Sequence, residues 1–177
     1  MYRQLLLTAL DSYASRYPAE RAQVEPFSDF INGNLHCFER SSLEGHVTGS
    51  AWIIDARHER CLLTHHKKLN RWLQPGGHCD GNGDIAEVAR REAYEESGLA
   101  SLKLVSSEIF DIDIHAIPAR KAEPEHLHYD VRFLFECGGD ENYVISDESH
   151  DLAWVPLAGV LNYSSEESVL RMVRKTA

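Results

Sequence analysis

Long apolar runs are missing from this 177-residue chain. The apolar segment at residues 5–10 ends at Asp11. No run approaches the roughly 18 apolar residues of a membrane-spanning helix. The first run is also too short for the apolar part of a secretory signal followed by a cleavage site. We therefore expect a protein without a membrane partner, located in the cytoplasm.

Paired cysteines and basic charge are scarce as well. The four cysteines form no CxxC pair, which is typical of reduced thiols in a cytoplasmic protein. Lys and Arg number 18 against 28 Asp and Glu, for a net charge of −10. This balance disfavours binding to duplex nucleic acid. A polyphosphate ligand would also be repelled unless a divalent cation offset the charge.

The pattern of residues 84–96 predicts an α-helix whose apolar face carries glutamates at its C-terminal end. Its apolar residues recur at the i, i+3, i+4 spacing of a core-facing stripe: Ile85, Val88, Ala89 and Ala93. At about 100° per residue, Glu92 and Glu96 fall about 20° either side of Ile85, and Glu95 falls about 80° away. Because uncompensated carboxylates are expensive to bury, this face favours Mg²⁺ or Mn²⁺. The alternative is that the helix leaves the core halfway and the glutamates are solvated.

Glycines flank this helix. A Gly-Gly pair at 76–77 precedes it, and Gly98 predicts its end in the left-handed conformation. Gly77 and the string Arg91-Glu92-Ala93-Tyr94-Glu95-Glu96-Ser97-Gly98-Leu99 resemble the Nudix box, G-x5-E-x7-R-E-U-x-E-E-x-G-U, where U is a bulky aliphatic residue. The resemblance implies an α/β fold, the Nudix α/β/α sandwich with a mixed sheet.

The box departs from this pattern at its first glutamate, where the chain has Gly83. In the family this glutamate supports the site, partly by pairing with the box arginine, here Arg91. Asp84 could take that part from one residue along. The string GGHCDGNGD at 76–84 resembles a variant Nudix subgroup with a GGHxDGxxD signature. Gly83 also leaves open a catalytically weak or inactive Nudix-fold domain that binds nucleotides or regulates.

The resemblance implies a metal-dependent hydrolase that cleaves a pyrophosphate bond in a nucleoside diphosphate linked to another moiety. Its metal would be Mg²⁺ or Mn²⁺, and its ligands would be Glu92, Glu95, Glu96 and the Gly77 carbonyl. Arg91 would orient a glutamate, since it lies four residues before Glu95. The general base would be Glu92 or Glu148. The partner would be a small nucleotide-type substrate, and Nudix domains are often homodimers.

Substrate contacts are predicted from position alone. Trp72 lies before the glycine pair, where it could stack on a base or pack in the core. Lys67, Lys68 and Arg71 could hold phosphate or form a solvated basic loop. His78 could bind phosphate or only brace the loop.

A calcium site is a competing hypothesis for the glycine loop. Asp80, Asn82 and Asp84 have the alternating spacing that opens an EF-hand loop. The pattern then fails, because Ile85 stands where glycine is needed and Arg91 where the bidentate glutamate is needed. We therefore interpret Asp84 as the N-cap of the helix.

A zinc site is disfavoured by the histidine spacing. His126 and His128 would share one face of a strand, but the sequence shows no third ligand to go with them.

The remaining segments predict a helical extension at 1–44 packed on a Nudix hydrolase domain at 45–177. The extension would hold two helices between 2 and 33, with Pro26 starting or breaking the second. Strands are expected at 46–55, 60–66, 102–116, 128–137 and 152–155. The acidic helix and a last helix at 164–175 interleave with them, which indicates a mixed sheet between helices.

Overall fold

The computed structural model describes residues 1–119 and 124–176. Two helices open the chain, α1 at Tyr2–Arg16 and α2 at Arg21–Gly33. Pro26 lies inside α2, so the expectation that it starts or breaks the helix was wrong. A proline inside a helix removes one backbone hydrogen bond and crowds the carbonyl four residues before it, which favours a break. The buried side chains of Phe27 and Ile31 hold the following turns against the core.

Eight strands form one sheet. In chain order they are β1 Gly45–Asp55, β2 Arg60–His66, β3 Arg71–Leu73, β4 Gly76–His78, β5 Leu102–Leu104, β6 Asp111–Ile117, β7 His126–Cys137 and β8 Ser149–Pro156. The main path runs β3-β2-β1-β7-β5, while β4 pairs with β1, β6 with β7 and β8 with β2. β1 and β7 are parallel and the other pairs are antiparallel. The sheet is therefore mixed, as predicted.

The single strand expected at 102–116 is two strands, β5 and β6. Between them the chain turns, and the Ser106 hydroxyl accepts a hydrogen bond from the Glu108 N–H at 3.1 Å. Such local side-chain bonds compete with the ladder of a continuous strand. The break lets β5 and β6 pair with different parts of β7.

Helices cover both faces of the sheet. α1, α2 and α3 (Ile85–Ser97) pack on one face. α4 (Glu167–Thr176) packs on the other, over Trp52 and Ile54 of β1. All eleven residues of β1 are buried, as expected for a central strand with both faces covered. This is the α/β/α sandwich that the sequence predicted. The division of the chain at residue 44 stays a prediction.

No helix in the described parts of the chain is both long and apolar enough to cross a bilayer.

Candidate active site

The acidic helix α3 is capped at both ends by its own sequence. The Asp84 carboxylate accepts a hydrogen bond from the Glu87 N–H at 3.2 Å, which satisfies one free donor of the first turn. Gly98 adopts φ 72° at the other end, a conformation that glycine reaches without a steric penalty. Both caps lie where the sequence placed them.

The three box glutamates differ in exposure as helical geometry requires. Glu96 is 6% exposed and lies among the buried residues of the helix. The Glu92 side chain is 18% exposed and that of Glu95 is 59% exposed. The helix therefore stays against the core through Glu96, and only Glu95 turns to solvent.

The glycine pair brings backbone against these carboxylates. The Gly76 N–H donates to Oε1 of Glu96 at 2.8 Å, whereas Oε2 of Glu96 is buried without a hydrogen-bond partner. A β-carbon at Gly77 would overlap the carboxylate of Glu92. β4 is held in place by its pairing with β1, in which Gly77 lies opposite Gly49. Any larger residue at 77 would displace Glu92.

Arg91 is the cation of this cluster. Its guanidinium donates to Oε1 of Glu92 at 2.7 Å and to the His78 carbonyl at 3.1 Å. The predicted i, i+4 pair with Glu95 is longer, at 3.8 Å. The ion pairs recorded for Arg91 within the described residues do not include Asp84, which caps the helix instead. The suggested pairing of Asp84 with Arg91 is therefore not found among the described residues.

Burial raises the pKa of Glu96 to about 8, and the neighbouring charges of Glu92, Glu148 and Glu95 add to the effect. Burial likewise raises the pKa of Glu92. Glu148 is exposed, yet it lies close enough for its charge to reach both side chains. Four carboxylates thus face one arginine. This excess of hard oxygen donors fits Mg²⁺ or Mn²⁺.

Gly83 is explained by the N-terminal helix. A β-carbon at this position would overlap the Cβ and Cγ atoms of Tyr2, the first residue of α1. The space that a glutamate side chain would need here is therefore occupied by the chain's own extension. The packing of α1 against this loop therefore requires glycine at position 83, where the box has glutamate.

The predicted substrate residues lie around the turn between β2 and β3, except His78, which is the last residue of β4. The Trp72 ring stacks on His65 with centroids 5.0 Å apart. Arg71 forms a 3.0 Å ion pair with Glu166. Nζ of Lys67 donates to the Asp147 carbonyl at 2.9 Å. Lys68 is exposed in the same turn. Their roles toward a substrate stay predictions.

This turn also lies beside the loop that carries Glu148. The Lys67 N–H donates to the Glu148 carbonyl at 3.0 Å, so the basic turn and the candidate base belong to one surface. Two surface clefts lie elsewhere, one beside Arg171 and one beside Trp154.

The loop oxygens that resembled a calcium site have protein partners. Asp80 pairs with Arg40. The Asn82 side chain accepts from the Asp84 N–H at 2.9 Å and donates to Glu87 at 2.8 Å. Asp84 caps the helix. These contacts explain the spacing without calcium.

The sequence shows no third ligand to go with His126 and His128, but the structure brings His46 and His78 to His128. β1 runs parallel to β7 with His46 opposite His128, and antiparallel to β4 with Thr48 opposite His78. The ring centroids of His46 lie 5.0 Å from His78 and 4.8 Å from His128. Burial lowers the pKa of His46 and His128, so these imidazoles are neutral at pH 7. Sequence spacing gave no signal for His46, because strand pairing alone brings it here.

A family model described as the NUDIX domain matches residues 45–174, beginning at the first residue of β1. The chain belongs to the Nudix family. The box glutamates, the glycine pair and the mixed sheet described above lie inside the matched segment.

Two curated relatives share parts of this Nudix chain. It is 37% identical over 57 residues to an RNA pyrophosphohydrolase of Bartonella henselae, covering 32% of either chain. It is 28% identical over 94 residues to a probable DHNTP pyrophosphohydrolase of Lactococcus lactis subsp. cremoris, covering 52% of this chain and 55% of the relative. The match thus spans about a third and about half of these relatives.

Solved structures share the fold. An E. coli dihydroneopterin triphosphate pyrophosphohydrolase superposes with a TM-score of 0.61 at 15% identity, over 73% of this chain and 92% of that one. A C. elegans Ap4A hydrolase binary complex superposes with a TM-score of 0.59 at 17% identity, over 73% and 93%. At such identities these likenesses show the fold alone.

Proposed function

We propose that this Nudix protein hydrolyses a pyrophosphate bond in a nucleoside diphosphate linked to another moiety, with Mg²⁺ or Mn²⁺ as cofactor. The observation that carries the proposal is Glu96, a buried carboxylate with one oxygen unpartnered beside the glycine pair. A buried anion without a counter-charge is unfavourable unless the site serves a cation. Both curated relatives are named as pyrophosphohydrolases.

Each side chain has a separate part in this proposal. Glu92, Glu95, Glu96 and the Gly77 carbonyl would hold the divalent cation. When bound, it would polarise the phosphoryl oxygens, acidify the attacking water and neutralise the leaving phosphate. Arg91 fixes the Glu92 carboxylate through their 2.7 Å contact, and the Gly76 N–H fixes that of Glu96. Glu95 is exposed and would have to turn inward to join them.

The general base would be Glu92 or Glu148. Glu92 is anchored by Arg91, whereas Glu148 is exposed and lies in the turn before β8. A base must reach the water that attacks phosphorus. Replacing each by Gln tests the two, since loss of the base removes the acidic limb of the pH–rate profile, on which the rate rises as the base loses its proton. Metal binding should persist in Glu148→Gln, whereas Glu92→Gln also removes a proposed metal ligand.

Gly83 supports a second candidate, a Nudix domain that binds nucleotides and hydrolyses them weakly or not at all. The position of the first box glutamate is filled by Tyr2, so Arg91 lacks the partner that the family supplies there.

Products formed from a substrate panel would test the proposal. The panel holds ADP-ribose, NADH, dinucleoside polyphosphates, nucleotide sugars and nucleoside triphosphates, each with Mg²⁺ or Mn²⁺. We expect cleavage of one class by the wild type and a loss of about 100-fold or more in Glu96→Gln. Glu25→Gln makes the same chemical change on the exposed side of α2 and should keep full activity. No cleavage of any class, with metal binding intact, would favour the second candidate.

The remaining parts of the proposal are a cytoplasmic location and a homodimeric state. The four cysteines are buried free thiols, which supports a cytoplasmic location. A homodimer is proposed from the habit of the family, and sedimentation would measure it.

A further inference from the structure

Five histidines gather where β1, β4, β6 and β7 meet. Their rings lie within 4.8–5.5 Å of a neighbour in the group; they are His46, His78, His115, His126 and His128. The geometry assigns to His46, His78 and His128, the histidine triad, a second metal site that binds a transition-metal ion such as Zn²⁺. This site is separate from the glutamates of α3.

A metal site needs several His, Cys, Asp or Glu side chains close together. Within the described ranges 1–119 and 124–176, the triad is the one set of three whose ligand atoms all lie within 4.8 Å of one another. Nitrogen ligands of Zn²⁺ lie about 2.0–2.1 Å from the ion, which places them roughly 3.3 Å apart in a tetrahedral site. Small rotations about the side-chain bonds would close that difference. Imidazole nitrogens favour Zn²⁺, whereas Mg²⁺ favours oxygen.

Unpartnered buried nitrogens point independently to a ligand. His46 is 3% exposed, and neither of its ring nitrogens makes a hydrogen bond of good geometry, although the Ser42 backbone lies near one of them. Nε2 of His128 is buried and unpartnered too. Leaving such groups unsatisfied costs about 1–3 kcal/mol each, so buried polar atoms almost always have a partner. A bound metal ion would satisfy the lone pairs of both residues.

The outer histidines are oriented as metal-site histidines usually are. Nδ1 of His115 lies 3.1 Å from the Asp113 carboxylate, and Nδ1 of His126 lies 2.9 Å from the Pro124 carbonyl. Histidines that bind metals almost always use one ring nitrogen for such a contact and the other for the ion. Either ring could therefore supply a fourth ligand, with water as the alternative.

The triad adjoins the glycine pair through one residue. His78 follows Gly77, and its carbonyl accepts the hydrogen bond from Arg91. An ion held by His78 would tie this end of β4 to β1 and β7. The site would thereby brace the glycine pair that contacts Glu92 and Glu96.

Zinc binding would be measured by calorimetry on the full chain after treatment with a chelator. The Glu96→Gln background lowers the contribution of the carboxylate site. We expect one equivalent of Zn²⁺ to bind and to raise the melting temperature. Co²⁺ at the same site should give the visible absorption of a nitrogen-rich, four-coordinate ion.

His128→Gln and His78→Gln should each weaken Zn²⁺ binding by about tenfold or more. His78 is only partly buried, so its variant still tests the proposal if His128→Gln folds poorly. His58→Asn is the matched control, because His58 lies in the β1–β2 turn at the far end of β1 and asparagine tolerates its φ of 57°. The control should bind Zn²⁺ like its parent.

Three results would overturn the triad. The first is that neither the wild type nor the Glu96→Gln parent binds Zn²⁺. The second is that both histidine variants bind it as tightly as their parent. The third is that, with each change made singly in the wild type, zinc binding vanishes in Glu96→Gln and persists in His128→Gln, which would place the ion on the carboxylates. None of these results depends on hydrolysis, so failure of the triad and failure of the proposed function are distinguishable.

Discussion

Two acidic clusters in this protein, each with at least one buried carboxylate, differ in the number of cations that face them. On α3, three glutamates and the nearby Glu148 face one arginine, Arg91. Between β6, β7 and α4, four carboxylates face three cations. That second cluster, the compensated cluster, consists of Glu20, Asp111, Asp113, Asp130, Arg132, Arg171 and Lys175.

Asp111 shows how complete the pairing is in the compensated cluster. Its side chain is fully buried, and Arg171 donates to both of its oxygens at 2.8 Å. Lys175 and Arg132 add contacts at 2.7 and 3.1 Å. Burial alone would lower the pKa of Arg171, but the bonds from Asp111 raise it. We interpret this cluster as structural.

The comparison teaches that burial of charge does not by itself mark a functional site. Paired charges hold elements together, whereas a deficit of counter-charge leaves a place for an ion. The predictions below test this distinction by removing one negative charge from either cluster.

The largest effect should come from Asp111→Asn. This change leaves Arg171, Lys175 and Arg132 partly uncompensated inside the protein, which should lower the free energy of unfolding by about 3–5 kcal/mol. Urea denaturation at neutral pH measures it. Asp29→Asn, on the exposed side of α2, should change little. A loss as small as that of the control would mean that the compensated cluster does not stabilise the fold.

Glu96→Gln should change the free energy of unfolding in the opposite direction. Burial raises the pKa of Glu96 to about 8, so without metal the carboxyl group must take up a proton on folding near neutral pH or be buried as an anion, and either is unfavourable. Gln avoids this cost, which should raise the free energy of unfolding by about 1–2 kcal/mol. Gln can still accept the hydrogen bond from the Gly76 N–H. Millimolar Mg²⁺ or Mn²⁺ should stabilise the wild type and have little effect on the variant.

Glu25→Gln controls for the loss of one surface charge and should respond to metal like the wild type. If Glu96→Gln destabilises the protein as Asp111→Asn does, the two clusters do not differ as we describe. If metal stabilises Glu96→Gln as much as the wild type, Glu96 is not a ligand of the ion.

The smallest effect should be a pH dependence in Asp113→Asn. Burial would raise the pKa of Asp113, but its hydrogen bond with His115 and the charges of Arg132 and Arg171 lower it. A lowered folded pKa stabilises the protein above the unfolded value of about 3.8. That stability is lost as the pH falls through the folded pKa.

Urea midpoints of the wild type and Asp113→Asn should therefore differ most near neutral pH and converge below pH 3.8. Asp29→Asn should follow the wild type throughout. A constant difference at every pH would mean that Asp113 acts through packing and not through charge.

Local sequence was enough to predict α3 and its acidic face. Helical periodicity placed Glu96 inside and Glu95 at the edge, and Asp84 and Gly98 set the ends. Such features depend on residues a few positions apart, which a single sequence displays. The same periodicity could not show that β5 and β6 are separate strands, because the interruption is visible only in how they pair with β7.

Contacts between distant segments could not be predicted in this way. Gly83 indicated a departure from the box, but only the packing of α1 shows that Tyr2 occupies the space. Arg91 was expected to orient a glutamate, and the structure gives it Glu92 as the nearer partner. These outcomes depend on how elements dock, which local pattern does not encode.

The sequence by itself determined the Nudix helix, its glycine pair and the excess of negative charge, because these follow from residue type and short spacing. Only the tertiary structure decided which charges are compensated and which histidines meet. His46, His78 and His128 are far apart in the chain, and the pairing of β1 with β4 and β7 brings them together. The register of strand pairing brings together residues that are far apart in the sequence, and short-range sequence patterns do not contain that information.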